Sequence, residues 1–206
     1  MHRILSSCAA VVALAAAAGC GSSSHPAASS QSTAAPATGA PGAGLLSAEA
    51  RSAATGDIPD SQIFVTYSNA QARYSMSSPE GWTRKGEGSD VTLAQKNNLV
   101  HITILTGSAS PTAAGVRDEL TRLRSTDPTL TFTTPAPVHI SAGAAIKATY
   151  TTRSAPNPVT GKQVVLIVDR YELSGPGKRA IVDLGSPSGV DNVDAYRKMI
   201  NSFRWQ

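Results

Sequence analysis

Two cysteines occur in the 206 residues, Cys8 and Cys20, and none follows them. From residue 21 onward, disulfides, thiolate metal sites and cysteine nucleophiles are therefore excluded. Aromatics supply 5% of the chain, too few to line a sugar site or a stacking platform for single-stranded nucleic acid. Charged residues are sparse at 16%. The net charge of +4 is too mild to imply a nucleic-acid partner without a basic cluster. No apolar run beyond Ala18 reaches the roughly 18–20 residues that span a bilayer. What the chain does have is 41% hydrophobic residues, enough for a packed core and against disorder throughout. Its length allows one ordinary domain plus a tail.

The first twenty residues read MHRILSSCAAVVALAAAAGC. Arg3 supplies a short basic start, and Ile4 to Ala18 is an apolar stretch of secretory length. The stretch closes on Ala17-Ala18-Gly19-Cys20, small residues directly before a cysteine. This resembles the bacterial lipoprotein lipobox, with Ala17 standing where a Leu is usual. The resemblance implies a signal peptide over 1–19, cleavage between Gly19 and Cys20, thioether lipidation of Cys20 and acylation of the new N-terminus. The expected location is then the extracytoplasmic face of the cell membrane. Each buried acyl CH₂ adds roughly 0.8 kcal/mol of membrane affinity, so two or more chains hold the protein stably.

Between Gly21 and Gly44 there is no Leu, Ile, Val, Met or aromatic residue. Such Ala/Ser/Gly/Pro/Thr sequence cannot bury enough surface to offset chain entropy. Residues 20–60 are accordingly predicted to be a disordered tether, with a marginal helical turn over Leu45 to Ala54. Its r.m.s. reach is on the order of 35 Å at ~5–6 Å × √n.

From Ser61 the pattern becomes regular, and 61–206 is predicted to be a single domain. Strands are expected at Ile63–Tyr67, Tyr74–Ser77, Val91–Gln95, Leu99–Leu105, Ala144–Thr152, Gln163–Leu173 and Arg179–Leu184. Ser78-Pro79-Glu80-Gly81 reads as a type I turn. Ser110-Pro111 reads as the start of a helix with Val116, Leu120 and Leu123 on its apolar stripe. A second helix over Asp191–Asn201 places Val193, Tyr196 and Ile200 inward, and Phe203 and Trp205 return to the body. Val164 to Val168 is apolar on both alternating sets, which predicts cover on both sheet faces. Hairpin connections make the sheet largely antiparallel, and the fold class is α+β with helices flanking the sheet.

Catalytic signatures are scarce. His101 and His139 lie on the less apolar faces of their strands without ligand-spaced companions. No Gly-x-Ser-x-Gly elbow occurs. Gly161-Lys162 and Gly177-Lys178 lack the upstream glycine of a phosphate loop. Asp169 and Asp183 could meet across paired strands, or could instead serve as partners for Arg170 or Arg179. The sequence therefore points to no enzyme, no cofactor and no metal. Over 61–206 there are 16 Lys and Arg against 11 Asp and Glu, with Arg84-Lys85 directly after Trp82. That mild excess suits anionic headgroups or wall polymers, worth up to ~1 kcal/mol per basic residue near an anionic surface.

Several segments carry a further resemblance. Tyr74-Ser75-Met76 leads into Ser78-Pro79-Glu80-Gly81-Trp82, Asp169-Arg170-Tyr171 sits in a late strand, and the chain closes with Asn201-Ser202-Phe203-Arg204-Trp205. Over residues 63–206 this resembles the PsbP-like α/β/α sandwich, a group that includes actinobacterial envelope lipoproteins of the LpqN type. The resemblance implies a non-enzymatic binding or assembly module, a monomer held to the membrane through the Cys20 lipid. Its partner is then a protein or an envelope polymer rather than nucleic acid. The alternative is a carrier or sensor with a small hydrophobic ligand in a cavity of the sandwich. Trp82, Arg84 and Lys85 form the candidate binding surface, and Cys20 and Gly19 the processing site.

Overall fold

In the computed structural model of the protein, residues 55–206 are described. The signal peptide expected over 1–19, the expected processing site at Gly19 and Cys20, the expected tether up to residue 54 and the helical turn expected at Leu45–Ala54 lie outside them. Alternating burial along β2 (Tyr74–Pro79), β4 (Asp90–Gln95) and β5 (Asn98–Thr106) marks strands with one apolar face, and β1 (Phe64–Asn69), mostly exposed, pairs with β2. Strand β3 is Thr83–Glu87, and the later strands are β6 (Ala136–Ile140), β7 (Gly143–Arg153), β8 (Val165–Gly175), β9 (Lys178–Pro187) and β10 (Arg204–Trp205). Helix α1 spans Ala113–Thr126 and helix α2 Val193–Asn201.

Seven strands pair in the order β3-β4-β5-β9-β8-β7-β6 and three in the order β1-β2-β10. Every pairing is antiparallel. The larger core lies on one face of the seven-stranded sheet, where Val100, Ile102, Val182 and Leu184 meet Tyr74 and Met76 of β2 and Tyr196, Met199 and Ile200 of α2. A smaller core on the other face gathers Ile146, Ala148, Tyr150, Leu166 and Val168 under Val116 and Leu120 of α1. The layers are α1, the large sheet, then the small sheet with α2: an α+β, PsbP-like sandwich.

Phe203 closes the larger core. Its ring stacks on Tyr74 at 5.6 Å and 11°, and Trp205 meets it edge-on at 5.1 Å. The Trp205 indole donates to the Ser174 carbonyl at 2.8 Å, so the chain end ties β2 to the β8–β9 hairpin.

Five expectations are corrected. The packed domain begins before Ser61: Ile58 is 8% exposed and belongs to the larger core, and its N–H donates to Asn192 Oδ1 at 2.8 Å. Ile58, with the Asn98 and Asn192 amides that donate to the Gly56 carbonyl, seats this segment on the body. Helix α1 starts at Ala113 instead of Pro111, because the Thr112 hydroxyl caps it by accepting from the Gly115 N–H at 3.1 Å. Val193 opens α2 but is 59% exposed, the inward stripe being Tyr196, Met199 and Ile200. Val165 and Ile167 are 51% and 42% exposed, since the small sheet and α2 cover that face of β8 only toward Leu173. Ser78 and Pro79 belong to β2. The turn falls one step later, with Gly81 at φ +84°, the left-handed position that a type II turn gives to glycine.

Candidate functional site

Strand β3 carries the candidate surface read from the sequence. All five of its residues are exposed, and it forms the outer edge of the seven-stranded sheet, hydrogen-bonded to β4 alone. Among the described residues its other edge has no strand partner, and such an edge is the template used in strand addition by a partner chain. Gly86, at φ +76°, lies where an added Cβ would come within 2.3 Å of the Asp90 carbonyl. A glycine is required there.

The structure divides the three candidate residues between two faces. Arg84 pairs in register with Leu93, which lies in the larger core, and its guanidinium sits 5.4 Å over the Tyr67 ring. Trp82, two residues earlier, is half-buried against that same core, and its indole nitrogen is enclosed without an acceptor. Lys85 pairs with Thr92, and Thr92 with His101, which places it on the α1 side. Trp82 and Arg84 thus share a surface and Lys85 flanks it across the strand.

The same registers build a second feature that the sequence reading only touched. Across the α1 face one row runs Thr92, His101, Asp183, Arg170, and the next runs Thr103, Ile181, Glu172. Arg170 Nε and Nη2 donate to the two Asp183 oxygens at 2.8 and 2.7 Å. Arg179 reaches Glu119 of α1 at 2.8 Å and Glu172 at 3.1 Å. Glu172 is fully buried, and neither of its oxygens has a well-aligned hydrogen bond. Burial first, and the Glu119 charge second, push its carboxyl up to about 7, against the pull of Arg179 and Arg170. Burial works against the Arg170 charge as well, but the Asp183 carboxylate outweighs it and keeps the guanidinium firmly protonated.

Asp169 and Asp183 do not meet. Asp183 is opposite Arg170, while Asp169, one residue along β8, points to the other face and pairs with Lys147 at 2.8 Å. Of the two arginines weighed as their partners, Arg170 takes Asp183 and Arg179 takes glutamates. His101 Nε2 lies 3.2 Å from Asp90, and His139 is exposed on β6.

Openings in the described surface include a groove and a cleft. A groove of about 750 Å³ lies between residues 57–61 and the start of α2, lined by Asp57, Asp60, Phe64, Asp191, Asp194 and Lys198 among others. A cleft of about 410 Å³ lies under the last turns of α1, lined by Glu119, Arg122, Leu123, Thr126 and Arg170.

No protein-family model matches the chain, and no curated protein does. Among solved structures, the chain is similar to cyanobacterial PsbP (CyanoP) from Synechocystis, at 15% identity and a TM-score of 0.54, over 73% of this chain and 98% of that one. A Bacteroides thetaiotaomicron protein aligns at 15% identity and a TM-score of 0.45, over 68% of this chain and 48% of that one. The yeast Ran-binding protein Mog1p aligns at 9% identity and a TM-score of 0.44, over 69% and 95%. The CyanoP likeness is one of fold.

Proposed function

We propose that this protein is a lipid-anchored envelope lipoprotein of the LpqN type, on the extracytoplasmic face of the cell membrane. Its sandwich domain serves as a non-enzymatic binding or assembly module. One observation carries the reading: Ala17-Ala18-Gly19-Cys20 closes an apolar leader and is followed by a stretch without core-forming residues, before the packed domain. A tether of that kind gives a domain a high local concentration near a surface without fixing its orientation, which favours capture of a partner.

The β3 edge supports a binding role. Exposed backbone edge, the half-buried Trp82 and the basic side chains Arg84 and Lys85 to either side suit a protein strand or an anionic envelope polymer. The full chain would be expressed in an actinobacterial host, with Cys20→Ala beside it. Loss of the acyl mass and of the detergent phase in the variant is the expected result. An unchanged membrane fraction with no acyl mass on the parent overturns the anchoring. Crosslinking in intact cells, comparing the parent with Arg84→Glu/Lys85→Glu, tests the module. A crosslinked partner that survives the double variant undiminished removes β3 from the account.

A further inference from the structure

The β7–β8 hairpin runs on past the sheet. Its last rung pairs Arg153 with Val165, yet the two arms stay joined beyond it. The Ser154 N–H donates to the Val164 carbonyl at 2.9 Å, and the Asn157 N–H to the Lys162 carbonyl at 2.8 Å. At the tip, the Asn157 side-chain oxygen accepts from the Val159 and Thr160 N–H groups at 2.9 and 3.0 Å. Residues 155–163 are all exposed. The result is a braced tongue that presents Pro156, Pro158 and Val159 to solvent, Val159 being 91% exposed. Val165 and Ile167, left exposed at its base, share one face of β8 and add apolar surface there.

Charge and position narrow the partner. No Asp or Glu occurs from Pro128 to Val168, while Arg153 and Lys162 stand on the two arms of the tongue, both exposed. Apolar side chains at a tip with cations behind them match a bilayer interface. The first enter the headgroup boundary and the second meet anionic lipid. The segment that leads from Cys20 enters the domain at this same end. Gly56 sits against Pro187, Pro187 pairs with Leu166, and the Ser188 N–H donates to the Val165 carbonyl at 2.8 Å. An anchored chain therefore holds nearest the bilayer the end that carries the tongue, at a local concentration that makes a weak contact count.

We infer that the β7–β8 tongue rests on an anionic bilayer, with Val159 in the headgroup boundary and Arg153 and Lys162 on lipid phosphates. The inference rests on the anchoring reading and adds an orientation to it. Asp57, Asp60, Asp191 and Asp194 of the groove set negative charge beside the start of α2. An anionic surface repels that side and tips the domain onto the hairpin. Strand β3 lies four strands from β8 in the sheet, roughly 20 Å away at the usual strand spacing, and stays free for its own partner.

The test couples the isotopically labelled mature chain, residues 20–206, through Cys20, its one thiol, to a maleimide lipid in nanodiscs. Chemical coupling supplies the attachment whether or not cells acylate Cys20, so failure here and failure of the anchoring are separate results. The discs hold phosphatidylglycerol, phosphatidylcholine and a gadolinium-chelate lipid. NMR line broadening is read at the Val159 methyls and the Lys162 N–H, with the Gly177 N–H, in the turn at the far end of β8, as reference. Broadening is expected to be strongest at Val159 and Lys162 and weakest at Gly177. Arg153→Glu/Lys162→Glu should lower that excess by about tenfold, and Val159→Ser by about threefold. All three positions are exposed, and unchanged amide spectra elsewhere confirm folding. Discs of phosphatidylcholine alone should show a weaker effect, and the soluble headgroup glycerophosphoglycerol none at the Val159 methyls. Broadening no greater at Val159 than at Gly177, an excess that the charge-reversed variant keeps, an equal effect in neutral discs, or a Val159 shift with the soluble headgroup equal to that with discs overturns the proposal.

Discussion

Arg170 and Asp183 face each other across β8 and β9 and are joined by two parallel hydrogen bonds, at 2.8 and 2.7 Å, beneath α1. Both are more than nine-tenths buried. Removing Asp183 leaves the Arg170 charge inside without its bidentate partner, whereas replacing both removes that charge and leaves Glu172 to Arg179. Asp183→Ala should destabilise the fold by about 3–5 kcal/mol, and Arg170→Met/Asp183→Leu by far less. Urea unfolding of the two variants distinguishes the cases. A double variant as unstable as the single one contradicts a pair that balances its own desolvation.

Glu172 makes stability depend on pH. Its carboxyl is raised to about 7 in the fold from about 4.3 in the unfolded chain, so the folded state holds the extra proton between those values. Stability then falls as pH rises from about 4.3 to 7 and levels off above, by about 4 kcal/mol at most. Glu172→Gln keeps the shape without the charge. Melts between pH 4 and 8 should show a shallower decline in the variant, and parallel curves would mean that another group titrates.

Gly175 has no room for a side chain. A Cβ there would stand 2.5 Å from Cε2 of Trp205, whose ring is held by Phe203 on one side and lies under the Lys178 ammonium at 4.7 Å. Gly175→Ala should lower stability by roughly 1–3 kcal/mol and shift the tryptophan emission. Unchanged emission with a wild-type melting temperature would show that the C-terminal strand can move aside freely.

Trp82 is half-buried, so Trp82→Ala should cost about 2–3 kcal/mol, less than the loss of a fully enclosed ring. Its indole N–H has no acceptor to lose, and Trp82→Phe should stay within about 1.5 kcal/mol of the parent. Denaturant midpoints for the pair decide this. A Phe variant as damaged as the Ala one would reveal a hydrogen bond from the indole.

The strands with an apolar alternation were legible from the residues alone. Val100, Ile102 and Ile104 on β5 advertise their face by spacing of two, and Ser174 to Gly177 announces the β8–β9 turn. Strand β3 was invisible for the converse reason. Thr83-Arg84-Lys85-Gly86-Glu87 buries nothing, so no hydrophobic period exists to read, and only its ladder to β4 makes it a strand. Strand β10 is two residues long and depends wholly on β2. The ionic cluster needed register as well. Arg170 and Glu172 were readable as alternate residues of one strand, but the partners of Arg170 lie 13 residues away on β9 and more than 50 residues earlier on α1. Pairing across that separation is decided by the fold and not by local sequence.

The attachment of residues 55–60 decides where mechanical load enters the domain. Chain preceding Thr55 pulls first on Gly56 and Ile58, whose backbone is held by Asn98 and Asn192 side chains. Asn192 in turn holds Ser186 at 2.9 Å, so tension passes into the ends of β5 and β9 at the middle of the large sheet. Strand β1, which follows in sequence and lies at an outer edge, is shielded from it. A drag force on the domain is met by a knot of side-chain amides set between central strands, and the exposed edges can bend or bind without carrying that load.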